Sequence, residues 1–338
     1  MRILLTGHTG FKGSWLTLLL KTLGHEVHGI SLNPLKNGIF ELASVGGICS
    51  TDRRIDIRTK EELRQEFKRI QPEVVFHLAA QALVLSSYED VSNTYTTNVS
   101  GTLNVLDCAT SSSELKAIIV VTTDKVYESA GGGAHAESDP LGGSDPYSSS
   151  KAIADLLTQS WSKHNPGHSI SIARSGNVIG GGDVSPNRLL PDIFKSIREN
   201  EATLLRHPNS IRPWQHVLDC LNGYVALMNS TLKGSSGVFN FGPVSTEKFS
   251  VKDVAILTLN KFGRDSWVFE ESRGGDESDF LALDSTKARL LLGWENRWDI
   301  QKSIEVTASW EKAAMNNMNM RDFSVMQIEE FLNFQVNR

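Results

Sequence analysis

Three glycines at a spacing of three residues, Gly7, Gly10 and Gly13, follow the first apolar run of the chain, Ile3 to Leu5. A helical pattern begins within the same stretch, so the glycines lie on a turn between a strand and a helix. Glycine lets the backbone approach a pyrophosphate closely, and the N–H groups at a helix start attract its charge. The motif therefore predicts a phosphate-bearing ligand on this turn, with a plain tight turn as the alternative.

The first half of the chain alternates short apolar runs with helical patterns. The predicted strands are residues 3–6, 26–30, 74–78, 117–122 and 169–173. The predicted helices are residues 11–23, 60–70, 91–110 and 146–164. Apolar strands separated by helices indicate a parallel sheet covered on both faces. The expected fold class is α/β, a Rossmann-type doubly wound parallel sheet that binds ligands beyond the carboxyl ends of its strands.

The second half of the chain is less regular. Further helices are predicted over 186–200, 218–230, 251–262 and 286–292, and an amphipathic helix follows residue 318. We expect a dinucleotide-binding domain over 1–175, with a return segment at about 213–243. A smaller mixed α/β domain over 176–338 is expected to hold the substrate.

Composition and charge exclude several classes of partner. The 34 basic and 39 acidic side chains give a net charge of −5, without a basic run, which disfavours nucleic acid and anionic membranes. The apolar stretches are shorter than the ~20 residues that span a bilayer, and the N-terminus has no signal-peptide pattern, so we expect a cytoplasmic protein. Cys49, Cys108 and Cys220 have no metal-binding spacing and are expected to be reduced thiols.

Candidate catalytic residues cluster at the end of the predicted strand 117–122 and on the predicted helix 146–164. Tyr147 and Lys151, in "DPYSSSK", are four residues apart and share a helix face. The lysine charge is expected to lower the pKa of the Tyr147 phenol, as a general base requires. The strand end "VVTTDKVYE" adds Thr122, Thr123, Asp124 and Lys125. These side chains predict a proton-handling site, with solvated turn charges as the alternative.

The end of strand two, Gly29 to Asn33, carries neither an acidic residue nor an arginine. An acid there usually holds the adenosine ribose of NAD, and an arginine the 2′-phosphate of NADP. Ser31 and Asn33 offer weaker neutral hydrogen bonds. We therefore expect NAD rather than NADP, bound with modest affinity. Asp56 is expected either to contact the adenine or to be an exposed loop acid.

A series of motifs runs from residue 1 to beyond residue 240: "GHTGFKGSWL", "VVFHLAAQ", "TNVSGTLNVL", "VTTDKVYE", "DPLGGSDPYSSSK", "GNVIGGGD", "RLLPD" and "IRPWQHVLD". "NFGP" and "LGWENRWD" extend it to about residue 300. In these stretches the chain resembles the extended short-chain dehydrogenase/reductases and, within them, the nucleotide-sugar 4,6-dehydratases. The pair Asp124-Lys125 resembles the members that act on CDP-glucose, since those for dTDP-glucose and GDP-mannose have Asp-Glu.

The resemblance implies an NAD-dependent lyase of deoxysugar and O-antigen biosynthesis, with a nucleotide hexose, CDP-glucose first, as substrate. The hexose is oxidised at C4, loses water across C5 and C6, and receives the hydride back at C6. Tyr147, with Thr123 and Lys151, takes the proton of the 4-hydroxyl. Asp124 is the implied acid for the 6-hydroxyl. Lys125 is assigned either C5 deprotonation or stabilisation of the enolate.

The resemblance also assigns binding residues. The cofactor residues are Gly7, His8, Gly10, Phe11, Lys12, Gly13, Ser31, Asp56, Ile57, Leu78, Ala79, Ala80, Gln81, Asn98, Thr122, Tyr147 and Lys151. The nucleotide-sugar residues are Asn177, Arg188, Leu190, Arg212, Asn240, Arg273 and Glu277. His8 and Lys12 are expected to touch the cofactor phosphates or to face solvent, and His216 to be structural. Helices 91–110 and 146–164 pair across a two-fold axis in the family, which implies a homodimer.

The substrate loops depart from the family pattern. Leu85 and Ser86 replace arginines after "LAAQ", residues 129–138 lack an aromatic side chain, and no histidine lies near position 276. A dehydratase for a GDP-, dTDP- or UDP-hexose is therefore an alternative. An epimerase or ketoreductase on the same scaffold is a second alternative, disfavoured by Asp124-Lys125. A binding protein without catalysis is a third, disfavoured by the intact catalytic residues.

Overall fold

A computed structural model of the protein describes residues 1–128, 133–243, 248–269 and 281–334. Its strands are β1 (Arg2–Thr6), β2 (Glu26–Ser31), β3 (Thr51–Arg54), β4 (Val74–His77), β5 (Ala117–Val121), β6 (Ser169–Ser175), β7 (Val178–Ile179), β8 (Thr203–Leu205), β9 (Gln215–His216), β10 (Val238–Phe241) and β11 (Trp267–Phe269). Its helices are α1 (Phe11–Thr22), α2 (Ile39–Leu42), α3 (Lys60–Ile70), α4 (Val84–Glu89), α5 (Val91–Tyr95), α6 (Gly101–Thr110), α7 (Pro146–His164), α8 (Leu189–Glu199), α9 (Val217–Leu232), α10 (Val251–Lys261), α11 (Thr286–Leu292), α12 (Ile300–Met315) and α13 (Met320–Asn333).

Seven strands form one parallel sheet in the order β10-β6-β5-β4-β1-β2-β3. The order runs outward in both directions from β1 and β4, which is the doubly wound arrangement. The predicted fold class is confirmed. The outermost strand β10 comes from the second half of the chain, whereas the other six come from residues 1–175. The division into two domains at residue 175 stays a prediction.

Alternate residues of the central strands pack into two separate cores. Ile3 and Leu5 of β1 belong to one apolar cluster, and Leu4 between them belongs to the other. Helices α1, α9, α12 and α13 supply the first cluster, and α3 and α6 supply the second. Side chains of a strand point alternately to opposite faces, so an apolar run without alternation needs a helix layer on each side.

A third apolar cluster lies in the second half of the chain. It includes Phe194 of α8, Leu205 of β8 and Val254 of α10, all buried. Helix α13 buries Ile328 and Phe331 in the first cluster, against α1 and α12. The terminal amphipathic pattern is therefore part of the main core. Within the described ranges, no helix is long and apolar enough to cross a membrane.

Two helices differ from their sequence predictions. The stretch 91–110 is divided by a π-helical turn over Thr96–Ser100, the turn that carries Asn98. Such turns are frequent at functional sites. The helix expected from residue 186 begins at Leu189, because Asn187 has a left-handed φ of +61° that an α-helix cannot contain. Helices α2, α4 and α12 had no counterpart in the sequence prediction.

Candidate active site

The three glycines of the first turn meet different surroundings. Gly7 has a φ of +80°, and a Cβ there would lie 2.7 Å from the Ala79 nitrogen. A Cβ on Gly13 would lie 2.1 Å from the Gly7 oxygen, so the helix needs glycine to pack on its own turn. At Gly10 the nearest atom to a Cβ is the Gly7 oxygen at 3.4 Å. The fold thus explains Gly7 and Gly13, whereas Gly10 leaves open a space that suits a ligand.

The same turn presents backbone donors to that space. Gly10 is the residue before α1 and caps it without a side chain. The first N–H groups of a helix have no acceptor within the helix, and they favour an anion together with the helix dipole. An open glycine cradle with these donors fits the pyrophosphate of a dinucleotide.

His8 and Lys12 both point into the protein. The His8 ring is buried, with Nε2 2.7 Å from Oδ1 of Asp52, and burial lowers its pKa. The alternative that His8 faces solvent is therefore wrong. Lys12 Nζ donates hydrogen bonds to Ser175 Oγ at 2.8 Å and to Tyr224 OH at 3.4 Å. Its ammonium thus lies between β6 and α9, and contact with a phosphate stays a prediction.

The loop after β4 is tied to the π-helical turn. The Asn98 side chain accepts a hydrogen bond from the backbone N–H of Gln81 at 2.8 Å and donates one to the backbone oxygen of Gln81 at 3.0 Å. It also donates to Ser150 Oγ at 2.9 Å, which connects the loop to α7. The predicted cofactor residues Leu78, Ala79 and Ala80 lie on this loop, at the carboxyl edge of the sheet.

The adenine side of the edge is defined by β2, β3 and their loops. Ser31 lies at the end of β2, with its hydroxyl oxygen 2.7 Å from that of Thr9. Asp56 pairs with Arg58, which holds the pKa of the Asp56 carboxyl below its ordinary value. Ile57 is buried against Gly101. The Asp56 carboxylate is thus already paired with Arg58, two residues further along the chain.

The predicted catalytic side chains converge at the ends of β5 and α7. Tyr147 is hydrogen-bonded to Thr123, and the Thr123 hydroxyl donates to Asp124 Oδ1 at 2.9 Å. Lys151, one turn along α7, donates to the Val121 oxygen at 2.8 Å. Asp145 caps the N-terminus of α7, where its side chain accepts a hydrogen bond from the Ser148 N–H, and Pro146 is the first residue of the helix. This capped start fixes the face that carries Tyr147 and Lys151.

The pKa of Tyr147 differs from the sequence expectation. Burial raises the pKa of the phenol to about 12, and the Thr123 hydrogen bond opposes this rise only in part. Burial lowers the pKa of Lys151 to about 8. The expected lowering of the Tyr147 pKa by Lys151 is wrong for the protein alone, because desolvation dominates and the Lys151 ammonium is turned to a backbone carbonyl.

Asp124 is fully buried, and burial raises the pKa of its carboxyl. The positive charge of Lys125 and the Thr123 hydrogen bond act in the opposite direction. Its Oδ2 has no hydrogen-bond partner among the described residues. A Cβ on Gly176, the residue after β6, would lie 2.5 Å from Cγ of Pro213 and 2.9 Å from this oxygen, so the site is crowded on that side. The geometry provides a buried carboxyl group with a raised pKa and one oxygen that no described residue engages.

Two arginines from the second half act on these groups. The charge of Arg212 lowers the pKa of Asp124, and that of Arg188 lowers the pKa of Tyr147. Arg212 is nearly buried and donates to the Ile211 oxygen at 2.9 Å. Arg188 pairs with Asp183 at 3.0 Å. Both therefore lie close enough to the catalytic residues for their charges to act there.

The other predicted substrate residues have mixed surroundings. Asn240 is buried; its amide oxygen accepts from Tyr127 OH at 2.6 Å, and its amide nitrogen donates to the His135 oxygen at 2.8 Å. Both the oxygen and the nitrogen of the Asn240 amide are therefore hydrogen-bonded within the protein. Leu190 is buried in the third apolar cluster. Asn177 lies half-buried after β6, and its backbone carbonyl oxygen accepts a hydrogen bond from the Gln215 N–H at 3.2 Å. Arg273 and Glu277 lie outside the described residues.

A buried ion pair between Asp155 of the catalytic helix and Arg174 was not predicted from the sequence. Asp155 lies on α7 four residues after Lys151, and its carboxylate accepts two hydrogen bonds of 2.8 Å from Arg174. Its charge raises the pKa of Lys151 against the effect of burial. The i, i+4 spacing after Lys151 was the available signal. Arg174 also donates to Tyr127 OH at 2.8 Å, which ties α7 to the loop after Asp124.

The cysteines and histidines do not form a second centre. Cys49, Cys108 and Cys220 are free. His216 caps α9 through the Leu218 N–H and packs against aromatic rings, as a structural residue does. Across the described ranges, no group of three or more His, Cys, Asp or Glu side chains is arranged to hold a metal ion.

The chain is similar to known proteins in sequence and in fold. The profile of the NAD dependent epimerase/dehydratase family matches residues 3–242. CDP-glucose 4,6-dehydratase of Salmonella typhimurium is 38% identical over 346 residues, covering 98% of this chain and 96% of that protein. The crystal structure of UDP-glucuronic acid 4-epimerase from Bacillus cereus, in complex with UDP-glucuronic acid and NAD, is 25% identical with a TM-score of 0.81, covering 93% of this chain and 100% of that one.

A further solved structure supports the fold alone. The dTDP-glucose 4,6-dehydratase from Streptomyces venezuelae, with NAD bound, superposes with a TM-score of 0.81 at 24% identity, covering 94% of this chain and 99% of that one. The resemblance stated from the motifs and the predicted NAD cofactor are both confirmed. By profile, by sequence identity over almost its whole length and by fold, the chain belongs to the NAD dependent epimerase/dehydratase family.

Proposed function

We propose that the protein is a nucleotide-sugar 4,6-dehydratase and that its substrate is CDP-glucose. The observation that carries the proposal is the buried carboxyl of Asp124, joined to Tyr147 through Thr123, with its pKa raised. A dehydratase needs a neutral acid to protonate a departing hydroxyl, whereas an epimerase has no leaving hydroxyl. The 38% identity to CDP-glucose 4,6-dehydratase supports the same reaction and the same nucleotide.

The first role belongs to Tyr147, which takes the proton of the sugar 4-hydroxyl. The phenol must ionise, and its pKa of about 12 in the protein alone opposes this. The Thr123 hydrogen bond and the charge of Arg188 favour the phenolate, and a bound cofactor with positive charge would favour it further. Thr123 hydrogen-bonds both Tyr147 and Asp124, so it holds the phenol at the oxidation site and the acid at the elimination site.

The second role belongs to Asp124 and Lys125. Once C4 is a ketone, the proton on C5 becomes acidic. Lys125 takes that proton or stabilises the enolate, and Asp124 donates its proton to the 6-hydroxyl, which leaves as water. Atoms balance as the loss of one water, with a solvent proton returning to C5.

The residues of this site would hold NAD⁺, which would supply reversible hydride chemistry at C4 and C6 without net reduction of the cofactor. The residues that would hold it are the open cradle at Gly10 and its helix N–H groups for the pyrophosphate. Ser31 and Ile57 lie at the adenosine end. Asn98 fixes the loop that lines the ribose.

Arg212 and Arg188 are the cations proposed for the substrate diphosphate. A guanidinium matches phosphate oxygens in geometry and keeps its charge at all working pH values. Both act electrostatically on Asp124 or Tyr147, so a diphosphate held by them would place the attached hexose over the catalytic residues.

The test offers the protein with NAD⁺ to CDP-, dTDP-, GDP- and UDP-glucose in parallel, with product masses recorded. The expected result is the loss of one water from CDP-glucose at a kcat/KM well above the other three. Preferred turnover of another nucleotide would keep the dehydratase and overturn the substrate. An unchanged mass with a changed sugar stereochemistry would establish an epimerase instead.

We further propose a cytoplasmic homodimer. Val91 and Leu103 lie in the stretch 91–110 and are 45% and 39% exposed, and Ile153 and Leu156 of α7 are 39% and 51% exposed. Leu106, in the same stretch, is buried in the second apolar cluster and is explained by the core. Free cysteines fit a reducing compartment.

A further inference from the structure

The adenosine end of the cofactor site has no carboxylate where a family of this kind usually places one. That carboxylate follows the glycine motif by about 20 residues and holds the ribose 2′-hydroxyl. Here the position at the end of β2 is Ser31, whose hydroxyl lies 2.7 Å from that of Thr9. Thr9 in turn donates to the Leu32 oxygen at 3.0 Å. Both side chains are neutral, so neither repels a phosphate on the 2′ position.

The register of the sheet brings a cation to the same place. Ser31 of β2 is paired with Arg54 of β3. Paired residues of adjacent parallel strands point to the same face, which here is the face of Thr9 and the glycine turn. Arg54 is not visible at the end of β2 in the sequence, because it is brought there by the neighbouring strand β3.

We infer that this edge accepts a 2′-phosphate, with Arg54 as its cation, so that the protein binds NADP⁺ as well as NAD⁺. The inference concerns the dinucleotide alone and does not depend on which sugar the protein converts.

Arg54 is held in a position from which it can turn to such a phosphate. It forms an ion pair with Asp52 and lies 5.3 Å from the centre of the Phe40 ring. The side chains of Arg54 and Asp52 are 33% and 27% exposed, so the pair is open to solvent. Asp52 also contacts His8 at 2.7 Å and keeps that partner when the guanidinium turns away. A phosphate offers the guanidinium a bidentate partner of higher charge than the carboxylate.

The test measures dinucleotide binding by isothermal titration calorimetry, without any sugar. Wild-type protein is expected to bind NADP⁺ within about tenfold of NAD⁺, because a neutral 2′ site discriminates weakly. Arg54→Ala removes a charge-assisted contact and is expected to weaken NADP⁺ by about tenfold to a hundredfold, with NAD⁺ changed by less than about threefold. Asp52→Asn frees the guanidinium and is expected to strengthen NADP⁺ selectively.

Arg53→Ala is the matched control. Arg53 is the neighbouring residue of β3, its side chain is 57% exposed, and it lies 3.4 Å from Glu66 on the other face of the sheet. Arg53→Ala removes the same charge without altering the ribose edge, so the affinities for NAD⁺ and NADP⁺ should both be unchanged. Wild-type NADP⁺ binding more than about a hundredfold weaker than NAD⁺ would overturn the inference. So would equal losses for both dinucleotides in Arg54→Ala, or equal effects of Arg53→Ala and Arg54→Ala on NADP⁺.

Discussion

The hydroxyl of Thr123 donates a hydrogen bond of 2.9 Å to Oδ1 of Asp124, while its oxygen also serves the phenol of Tyr147. One side chain thus joins the proposed base for C4 oxidation to the proposed acid for elimination. Burial raises the pKa of both groups and so favours the protonated form of each in the free protein. That form suits the acid of the elimination, whereas ionisation of the base depends on what binds beside it.

Asp124→Asn is expected to separate the two halves of the reaction. Asparagine keeps an acceptor for Thr123 but cannot protonate the 6-hydroxyl, so turnover should fall by roughly 100-fold to 10,000-fold. Oxidation at C4 should persist, and reduced nicotinamide should accumulate in a single-turnover absorbance measurement. Lys125→Met should also block elimination while C4 oxidation is partly retained.

Tyr147→Phe is the control for this experiment, because it should abolish the absorbance change as well as product formation. Full dehydratase activity in Asp124→Asn would remove Asp124 as the acid. Full activity in Lys125→Met would remove Lys125 from the mechanism.

The glycine turn predicts opposite results for two similar substitutions. Gly10→Ala places its methyl group in the open cradle, so the melting temperature without cofactor should stay close to wild type while NAD⁺ affinity falls about tenfold or more. Gly13→Ala drives a Cβ into the Gly7 carbonyl and should cost at least about 1–3 kcal/mol of unfolding free energy. Unchanged NAD⁺ affinity in Gly10→Ala would show that the pyrophosphate does not bind there.

Asp219 is expected to make stability depend on pH. Burial raises the pKa of its carboxyl from 3.8 to about 7, so the folded protein binds this proton more tightly than the unfolded chain. The resulting stabilisation is complete below pH 3.8 and is lost as the pH rises through about 7, by at most about 4 kcal/mol. Denaturant unfolding at pH 5 and pH 8 should show a smaller loss for Asp219→Asn than for wild type.

Asp219→Asn keeps an oxygen for the Arg297 N–H, which Oδ1 accepts at 2.6 Å. The exposed Asp265→Asn serves as its control and should follow the wild-type pH profile. Equal losses between pH 5 and pH 8 in wild type and Asp219→Asn would contradict the raised pKa.

The dimer predicts that a charge on α7 dissociates it. Leu156 is 51% exposed on the face that carries Ile153, and Leu156→Asp should convert a dimer to a monomer in sedimentation velocity. Leu204→Asp, at an equally exposed leucine on β8, should leave the mass unchanged. A wild-type monomer, or a dimer that persists in Leu156→Asp, would rule out this interface.

The sequence predicted the parts of the fold that depend on local patterns. The apolar runs at β1, β4 and β5 have no alternation, and each strand is indeed buried on both faces. The four-residue spacing of Tyr147 and Lys151 likewise predicted that both residues lie on one face of α7. Local periodicity and a motif in its strand-to-helix context are sufficient for such features.

Features that depend on long-range packing were not accessible from the sequence. The pairing of Ser31 with Arg54 follows from the β2–β3 register, and the direction of Lys12 follows from contacts with β6 and α9. The pKa of Tyr147 was misjudged because the i, i+4 rule gives proximity to Lys151 but not the desolvation that dominates. Burial and register are properties of the assembled sheet.

Conversion of CDP-glucose with NAD⁺ in deuterated water, followed by mass spectrometry and NMR of the product, tests the proposed dehydration. The product is expected to have lost one water and to carry one solvent deuterium at C5, with no net formation of reduced nicotinamide. Retention of the full substrate mass, or a product in which the nicotinamide is consumed stoichiometrically, would contradict it.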